Sequence, residues 1–291
     1  MTRFKTVLAA IDFSEGSRAA LESAAGLAHL LGARLLALNV APAYMTYEPL
    51  PAFPAPAPLG PERLLKIRED LRQFVAPSGS TQPLAEVFVR EGDPADEILA
   101  QAAESGVDLV VLGTHGRRGF ERLMLGSVTE RVARKASCSV LGVPQAGANF
   151  THVLCAVDLS DSSGATLEEA AAIAEAAGAA LSVLYVADGA HWYEPGPMSG
   201  VDIEAMRAAV STFARERLQA LIERHVAKGT AVALQVAFGR APREIERVLG
   251  EGADLVVLGA SSSRGAPRFF FGSTAQHVLR AGVGPVLLVR P

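Results

Sequence analysis

Cysteine is scarce in this 291-residue chain: only Cys138 and Cys155, each inside an apolar run. Neither belongs to a Cys-x-x-Cys pair or has metal-ligand spacing. The two can in principle pair, but buried, reduced thiols are the expectation. The histidines, at 29, 115, 152, 191, 225 and 277, are scattered with no ligand spacing either. An excess of one charge is also missing. The net charge is −4, and no basic surplus points to nucleic acid. Long apolar spans are absent. Residues 136–157 carry no charge, but Gly142, Pro144, Gln145, Gly147, Asn149 and His152 break the stretch. It reads as two strands and a linker rather than a membrane span. The apolar run within Met1–Asp12 is too short for a signal peptide. A cytoplasmic protein, with neither nucleic acid nor membrane as partner, is therefore expected. Four catalytic signatures are missing as well: G-x-x-x-x-G-K-[ST], G-x-G-x-x-G after the first strand, H-E-x-x-H and G-x-S-x-G. Their absence argues against a Walker-type NTPase, a dinucleotide domain, a zinc protease and a nucleophile-elbow hydrolase.

What the chain has is an internal copy. Asp108–Gly113 recurs letter for letter as Asp254–Gly259, 146 residues later. The same offset relates Asp12-Phe13-Ser14 to Asp158-Leu159-Ser160, and Gly126-Ser127 to Gly272-Ser273, while Gly92 and Gly239 are one residue further apart. One long period seen twice implies duplicated domains rather than a solenoid. Domains at 1–145 and 150–291 are expected, joined by the small-residue linker Gln145–Asn149.

Each half alternates strand and helix patterns. In the first, strands are expected at 6–11, 34–40, 84–89, 109–112 and 139–143. Helices are expected from the Ser14 cap to Gly32, over 61–75 behind Pro61, from an Asp93 cap with Pro94 in the first turn to near Gly106, and over 127–136. Seven prolines between 42 and 61 make the intervening segment an extended, mobile loop. The second half repeats the order: strands at 153–157, 181–186, 231–237 and 254–258, helices at about 162–177, 201–227 and 242–250, then a terminal helix and strand. Five strands alternating with helices predict two α/β domains, each with a parallel sheet covered on both faces. Ligands of such sheets bind beyond the carboxyl ends of the strands, where strand order reverses. Asp12, Val40 and Gly113 all fall at such ends.

Two features carry chemistry. Gly126-Ser127 opens a helix whose free amides and dipole favour an anion. Gly113, Gly116 and Gly119 let the backbone curl around phosphates, and Arg117 and Arg118 add positive charge. Against this stands a structural reading in which Gly113 ends a strand, Ser127 caps a helix and the arginines are solvated. Asp12, at the end of an apolar strand, can bond a nucleoside or help hold a metal-phosphate. It can equally cap backbone amides near Ser14. Tyr44, Tyr47, Trp192 and Tyr193 can cover an adenine ring or pack as lids, and His115 lies within the glycine loop.

The opening Thr6–Ser17, the spacing Gly113-x2-Gly116-x9-Gly126-Ser127 and the closing Cys138–Val143 resemble the universal stress protein family, over nearly the whole chain and twice. The resemblance implies two five-stranded α/β sandwiches related to adenine-nucleotide α-hydrolases. It implies ATP as ligand, with magnesium left open. The nucleoside would lie near Asp12 and Val40, and the ribose and phosphates against Gly113, Gly116, Arg117, Arg118, Gly119, Gly126, Ser127 and Val128. The second-half equivalents are Asp158, Val186, Gly259, Arg264, Gly265, Gly272, Ser273 and Thr274, but Ser262 stands where Gly116 does. The second site is accordingly expected to be the weaker. The resemblance further implies pairing of the two halves through their last strands, with a homodimer as a further option. The function it implies is that of an ATP-binding stress or regulatory protein rather than an efficient enzyme. A slow ATPase and a nucleotide-independent scaffold are the alternatives.

Overall fold

The computed structural model describes residues 3–42, 59–76, 84–114, 125–144, 147, 149–188, 203–260 and 271–290. The chain divides into two compact units, Phe4–Gly147 and Ala148–Pro291, the second of which takes in Arg3. Most of the proline-rich stretch, the four aromatic residues beside the second strands, and His115 lie outside the described residues.

In the first unit the order is β1 (Thr6–Ile11), α1 (Glu15–Leu31), β2 (Arg34–Pro42), α2 (Pro61–Val75), β3 (Leu84–Gly92), α3 (Pro94–Glu104), β4 (Leu109–Gly113), α4 (Ser127–Lys135) and β5 (Ser139–Val143). The second runs β6 (His152–Val157), α5 (Ser163–Ala177), β7 (Ala180–Ala187), α6 (Ile203–His225), β8 (Val232–Phe238), α7 (Ala241–Gly250), β9 (Leu255–Gly259), α8 (Ser273–Ala281) and β10 (Val286–Val289). Within the first unit the strands lie in the order β3-β2-β1-β4-β5, and within the second β8-β7-β6-β9-β10. Every pairing within a unit is parallel. The expected α/β architecture is present in both halves. Among the described residues none of the helices is long and apolar enough to cross a membrane.

The central strands are buried because both faces are covered. Leu109–Leu112 and Leu255–Leu258 are buried, as continuous apolar runs in parallel sheets should be. α1 packs its Ala19, Ala20, Ala24, Leu27 and Ala28 stripe toward β1 and β4. Its small residues let helix and sheet approach closely. α1 and α5 both end at a left-handed glycine, Gly32 (φ 63°) and Gly178 (φ 63°), a conformation glycine adopts without steric cost.

Two local features are not visible in the pattern. The acid that opens each copy of the repeated hexapeptide sits at the far, amino end of its strand. There Asp108 accepts the amides of Lys5 and Thr6 (2.8 and 2.9 Å), and Asp254 those of Thr151 and His152 plus the Thr151 hydroxyl. Both are staples for the start of β1 and β6, not parts of the loop that follows β4 and β9. Second, the turns after β1 and β6 are not identical. Ser14 caps α1 by accepting from the Ser17 amide. In the second half the equivalent Ser160 hydroxyl pairs instead with Ser162, and Asp158 takes the Ser163 hydroxyl. The helix therefore begins two residues later by the 146-residue register.

Asp93 is the N-cap of α3, accepting from Ala95 and Asp96, and also receives Arg131 Nη1 of α4 at 2.7 Å. The Arg131 hydrogen bond, reinforced by the backbone amides, lowers its pKa from the usual 3.8. A depressed folded-state pKa gives stability that is full above the ordinary carboxylate value and is lost as pH falls through the folded one. The α3–α4 contact is thus expected to weaken below about pH 4. Asp93→Asn keeps a good cap but should flatten the acid limb of a melting-temperature series between about pH 5 and 2.5. An unchanged limb would remove Asp93 from the account.

Candidate functional site

The strand register gathers the carboxyl ends of β1, β2 and β4. Ile11 pairs with Asn39, and Ala10 with Leu112. Asp12 and Val40 therefore follow paired residues, and Gly113 follows the partner of Ala10. β1 and β4 are also the strands between which chain order reverses, the position where α/β sheets open a crevice. Asn39, missed by sequence reasoning, is buried there and donates Nδ2–H to the Ile11 carbonyl at 2.8 Å. It fixes the last residue of β1 before Asp12.

Asp12 is half-buried. Its Oδ1 accepts from the Ser14 amide at 3.0 Å and the Ser14 hydroxyl at 2.5 Å, so the local turn expected as one alternative is built. Phe13, between them, has φ 65°, and Leu159 at the same place in the second half has φ 60°. A side chain in the left-handed region costs about 1 kcal/mol. In the first half an edge-on contact of Phe13 with Phe74 at the end of α2 (centroids 5.5 Å apart) accompanies it. Arg18 of α1 donates to the Phe74 carbonyl and lies over its ring. The Asp12 turn is thus braced from two helices. Asp158 is exposed, and its Oδ1 accepts from the Ser160 amide and the Ser163 hydroxyl.

The other wall is the start of α4. Gly126 is its N-cap, in an extended conformation (φ −60°, ψ 134°), and has no side chain to cap the amides of Ser127, Val128 and Thr129. Gly126 N–H donates to the Thr114 carbonyl at 2.7 Å, and Thr114 N–H donates to Val143 at 2.9 Å. A Cβ on Gly126 would lie 3.2 Å from the Thr114 carbonyl oxygen. The helix start is thus drawn against the end of β4, a close approach that explains a glycine without invoking left-handed φ. Ser127 is exposed and Val128 half-buried. The second half repeats the arrangement at Gly259, Gly272, exposed Ser273 and half-buried Thr274, with Gly272 N–H donating to Ala260 at 3.0 Å. Val186 is the next-to-last residue of β7 and half-buried, and Val40, likewise half-buried, lies two residues inside β2, which runs past the expected end at Val40 to Pro42. Gly116, Arg117, Arg118, Gly119, Arg264 and Gly265 lie outside the described residues, as does Ser262.

The sequence model for the universal stress protein family matches residues 3–144 and again 149–290. The chain is a tandem universal stress protein. Universal stress protein YxiE of Bacillus subtilis is 35% identical over 151 residues, which cover 47% of this chain and 97% of that relative. A Thermus aquaticus universal stress protein, from the QAH/OAS sulfhydrylase 3' region, is 34% identical over 144 residues, again 47% of this chain and 97% of the relative. Each of these universal stress proteins thus spans about one half of the present chain. A crystal structure of a universal stress protein from Archaeoglobus fulgidus superposes along both halves, covering 99% of each chain with a TM-score of 0.65 at 20% identity. That agreement concerns the fold.

Proposed function

We propose that the first universal stress protein domain binds an adenine nucleotide, ATP in the first instance. The chain would act as a cytoplasmic stress-response or regulatory protein rather than as an efficient enzyme. The observation that carries this reading is the start of α4. The Gly126 amide ties the helix start to the end of β4 beside the reversal of strand order, and Gly126 has no side chain to cap the amides that follow it. Backbone donors at a helix N-terminus suit phosphate, and the Gly113-x2-Gly116-x9-Gly126-Ser127 spacing joins them to the intervening glycines and to Arg117 and Arg118. In this reading Gly113, Gly126, Ser127 and Val128 take the phosphates and ribose, and Asp12 and Val40 flank the nucleoside. Asp158, Val186, Gly259, Arg264, Gly265, Gly272, Ser273 and Thr274 form the second, weaker copy.

Asp12, the acid at the end of β1, has Oδ1 committed to Ser14, which favours binding over hydrolysis. Among the described residues no three His, Cys, Asp or Glu side chains come together as a metal site.

Full-length protein purified without added nucleotide is expected to release ATP or ADP on acid extraction, to bind added ATP in calorimetry, and to release phosphate only slowly. Neither retention nor binding at about 1 mM ATP, the weak end of specific affinity, would leave the nucleotide-independent scaffold in its place. Rapid phosphate release that is lost on blocking the cradle would make the protein an ATPase.

A further inference from the structure

One hydroxyl separates two cradles whose backbones otherwise agree. Gly126 (φ −60°, ψ 134°) and Gly272 (φ −61°, ψ 140°) cap their helices in the same conformation. Each donates its N–H to the residue after the glycine that ends the preceding strand, Thr114 or Ala260. Each accepts the first helical bond, from Glu130 at 3.0 Å or Gln276 at 2.9 Å. Thr114 and Ala260 are in turn held by Val143 and Val289 of the neighbouring strands.

The difference comes three residues into the helix. Thr129, 3% exposed, donates Oγ1–H to the Gly113 carbonyl at 2.7 Å. The equivalent residue 146 positions on is Ala275, equally buried and without a donor. In the first half two successive carbonyls at the exit of β4 are therefore gripped by the first turn of α4. In the second, the Gly272 amide holds the Ala260 carbonyl, and Ala275 has no hydroxyl to offer Gly259.

We propose that Thr129 is a positioning residue for the first cradle, and that Ala275 in its place is one cause of the second cradle's lower affinity. This rests on the nucleotide reading above. Thr129 has no contact with ligand in this account. It acts through Gly113, holding the strand end at a fixed distance from the amides of Ser127 and Val128 before an anion arrives. A preorganised set of donors binds more tightly because less ordering is left to the binding step. In the second half the Gly259 carbonyl lacks this restraint, and ligand must order the strand end against the helix. Sequence inspection passes over the pair because threonine and alanine are both ordinary in a first helical turn. Only the distance to Gly113 distinguishes them.

The test uses the full chain and three variants, Thr129→Ala, Thr129→Ser and Ala275→Thr, with two readouts. The first is amide hydrogen exchange at Gly126 and Gly272 in nucleotide-free protein. Gly126 is expected to exchange about tenfold more slowly than Gly272, as one added hydrogen bond allows. Thr129→Ala should remove most of that difference, Thr129→Ser should restore it, and Ala275→Thr should slow Gly272. The second is ATP affinity by calorimetry. Thr129→Ala should weaken the tighter site about fivefold to tenfold, with recovery in Thr129→Ser. Equal exchange at the two glycines in the wild type, or no response to Thr129→Ala, would overturn the clamp. A lower melting temperature for Thr129→Ala with unchanged ATP affinity would reduce Thr129 to a stabilising residue and overturn its positioning role. If wild-type protein binds no ATP, the nucleotide reading fails, and the positioning role falls with it. The exchange readout then decides only whether the clamp itself exists.

Discussion

Gly126→Asp is expected to abolish ATP binding at the first site, weakening it about 100-fold or more, or about 3 kcal/mol. Two effects add. Aspartate is a favoured N-cap, so its carboxylate would accept from the very amides of the first turn that a phosphate needs. Its negative charge would also stand where the anion must enter, beside the Thr114 carbonyl that a Cβ approaches to 3.2 Å. The same capping makes the variant informative. Aspartate in place of a glycine N-cap adds only about a few tenths of a kcal/mol to helix stability, which the tight Cβ contact opposes, so the melting temperature should move little. Loss of binding without loss of stability is the expected pair of results. Unchanged affinity would mean that the helix start is not the phosphate site.

Arg3→Ala is expected to destabilise the second half, although Arg3 precedes β1 of the first. The Glu169 side chain, on α5, is only 2% exposed, and its Oε1 accepts from both the Arg3 amide (3.3 Å) and Arg3 Nε (2.7 Å). Removing the guanidinium takes from a buried carboxylate the cation bonded to its Oε1, a loss of up to about 3–5 kcal/mol in a dry site. Arg3 is 46% exposed, so solvent screens part of this and about 2–3 kcal/mol is the better figure. A domain of this size would show a melting point lower by roughly 5–10 °C. Adding Glu169→Gln should recover part of the loss by removing the stranded charge. If Arg3→Ala melts like the wild type, the pair is ornamental. If the double variant is as unstable as Arg3→Ala, the charge is not the cause. The first half needs no such pair: at the position equivalent to Glu169 it has Ser23, whose hydroxyl bonds back to Ala19.

Much of this fold was legible because local signals and tertiary needs agree. Thr6–Ile11, Pro61–Val75 and Ser139–Val143 are both the stretches marked by pattern and the observed elements. Where the chain departs from pattern, side chains compete with the backbone. The Ser160–Ser162 and Asp158–Ser163 bonds delay α5, and no periodicity encodes them. β3 runs on to Gly92 because β2 runs on beside it, with Val40, Ala41 and Pro42 paired to Arg90, Glu91 and Gly92.

At the site, the glycine spacing and the Asp12 turn were visible in the sequence, since both are short-range. Asn39, Thr129 and the Arg3–Glu169 pair were not. Each joins residues at least 16 positions apart through one side-chain atom, and a single chain offers no pattern from which such a contact can be read. Cys155 lies at the other limit: it reads as a buried thiol, and it is one, with burial pushing its pKa up and away from reactivity.

The unequal pair of cradles is tested most directly by counting ATP molecules bound per chain, in equilibrium dialysis of wild type, Gly126→Asp and Gly272→Asp. One tight site per chain is expected in the wild type, lost in Gly126→Asp and kept in Gly272→Asp. Two equal sites, or a tight site that survives Gly126→Asp and disappears in Gly272→Asp, would contradict it.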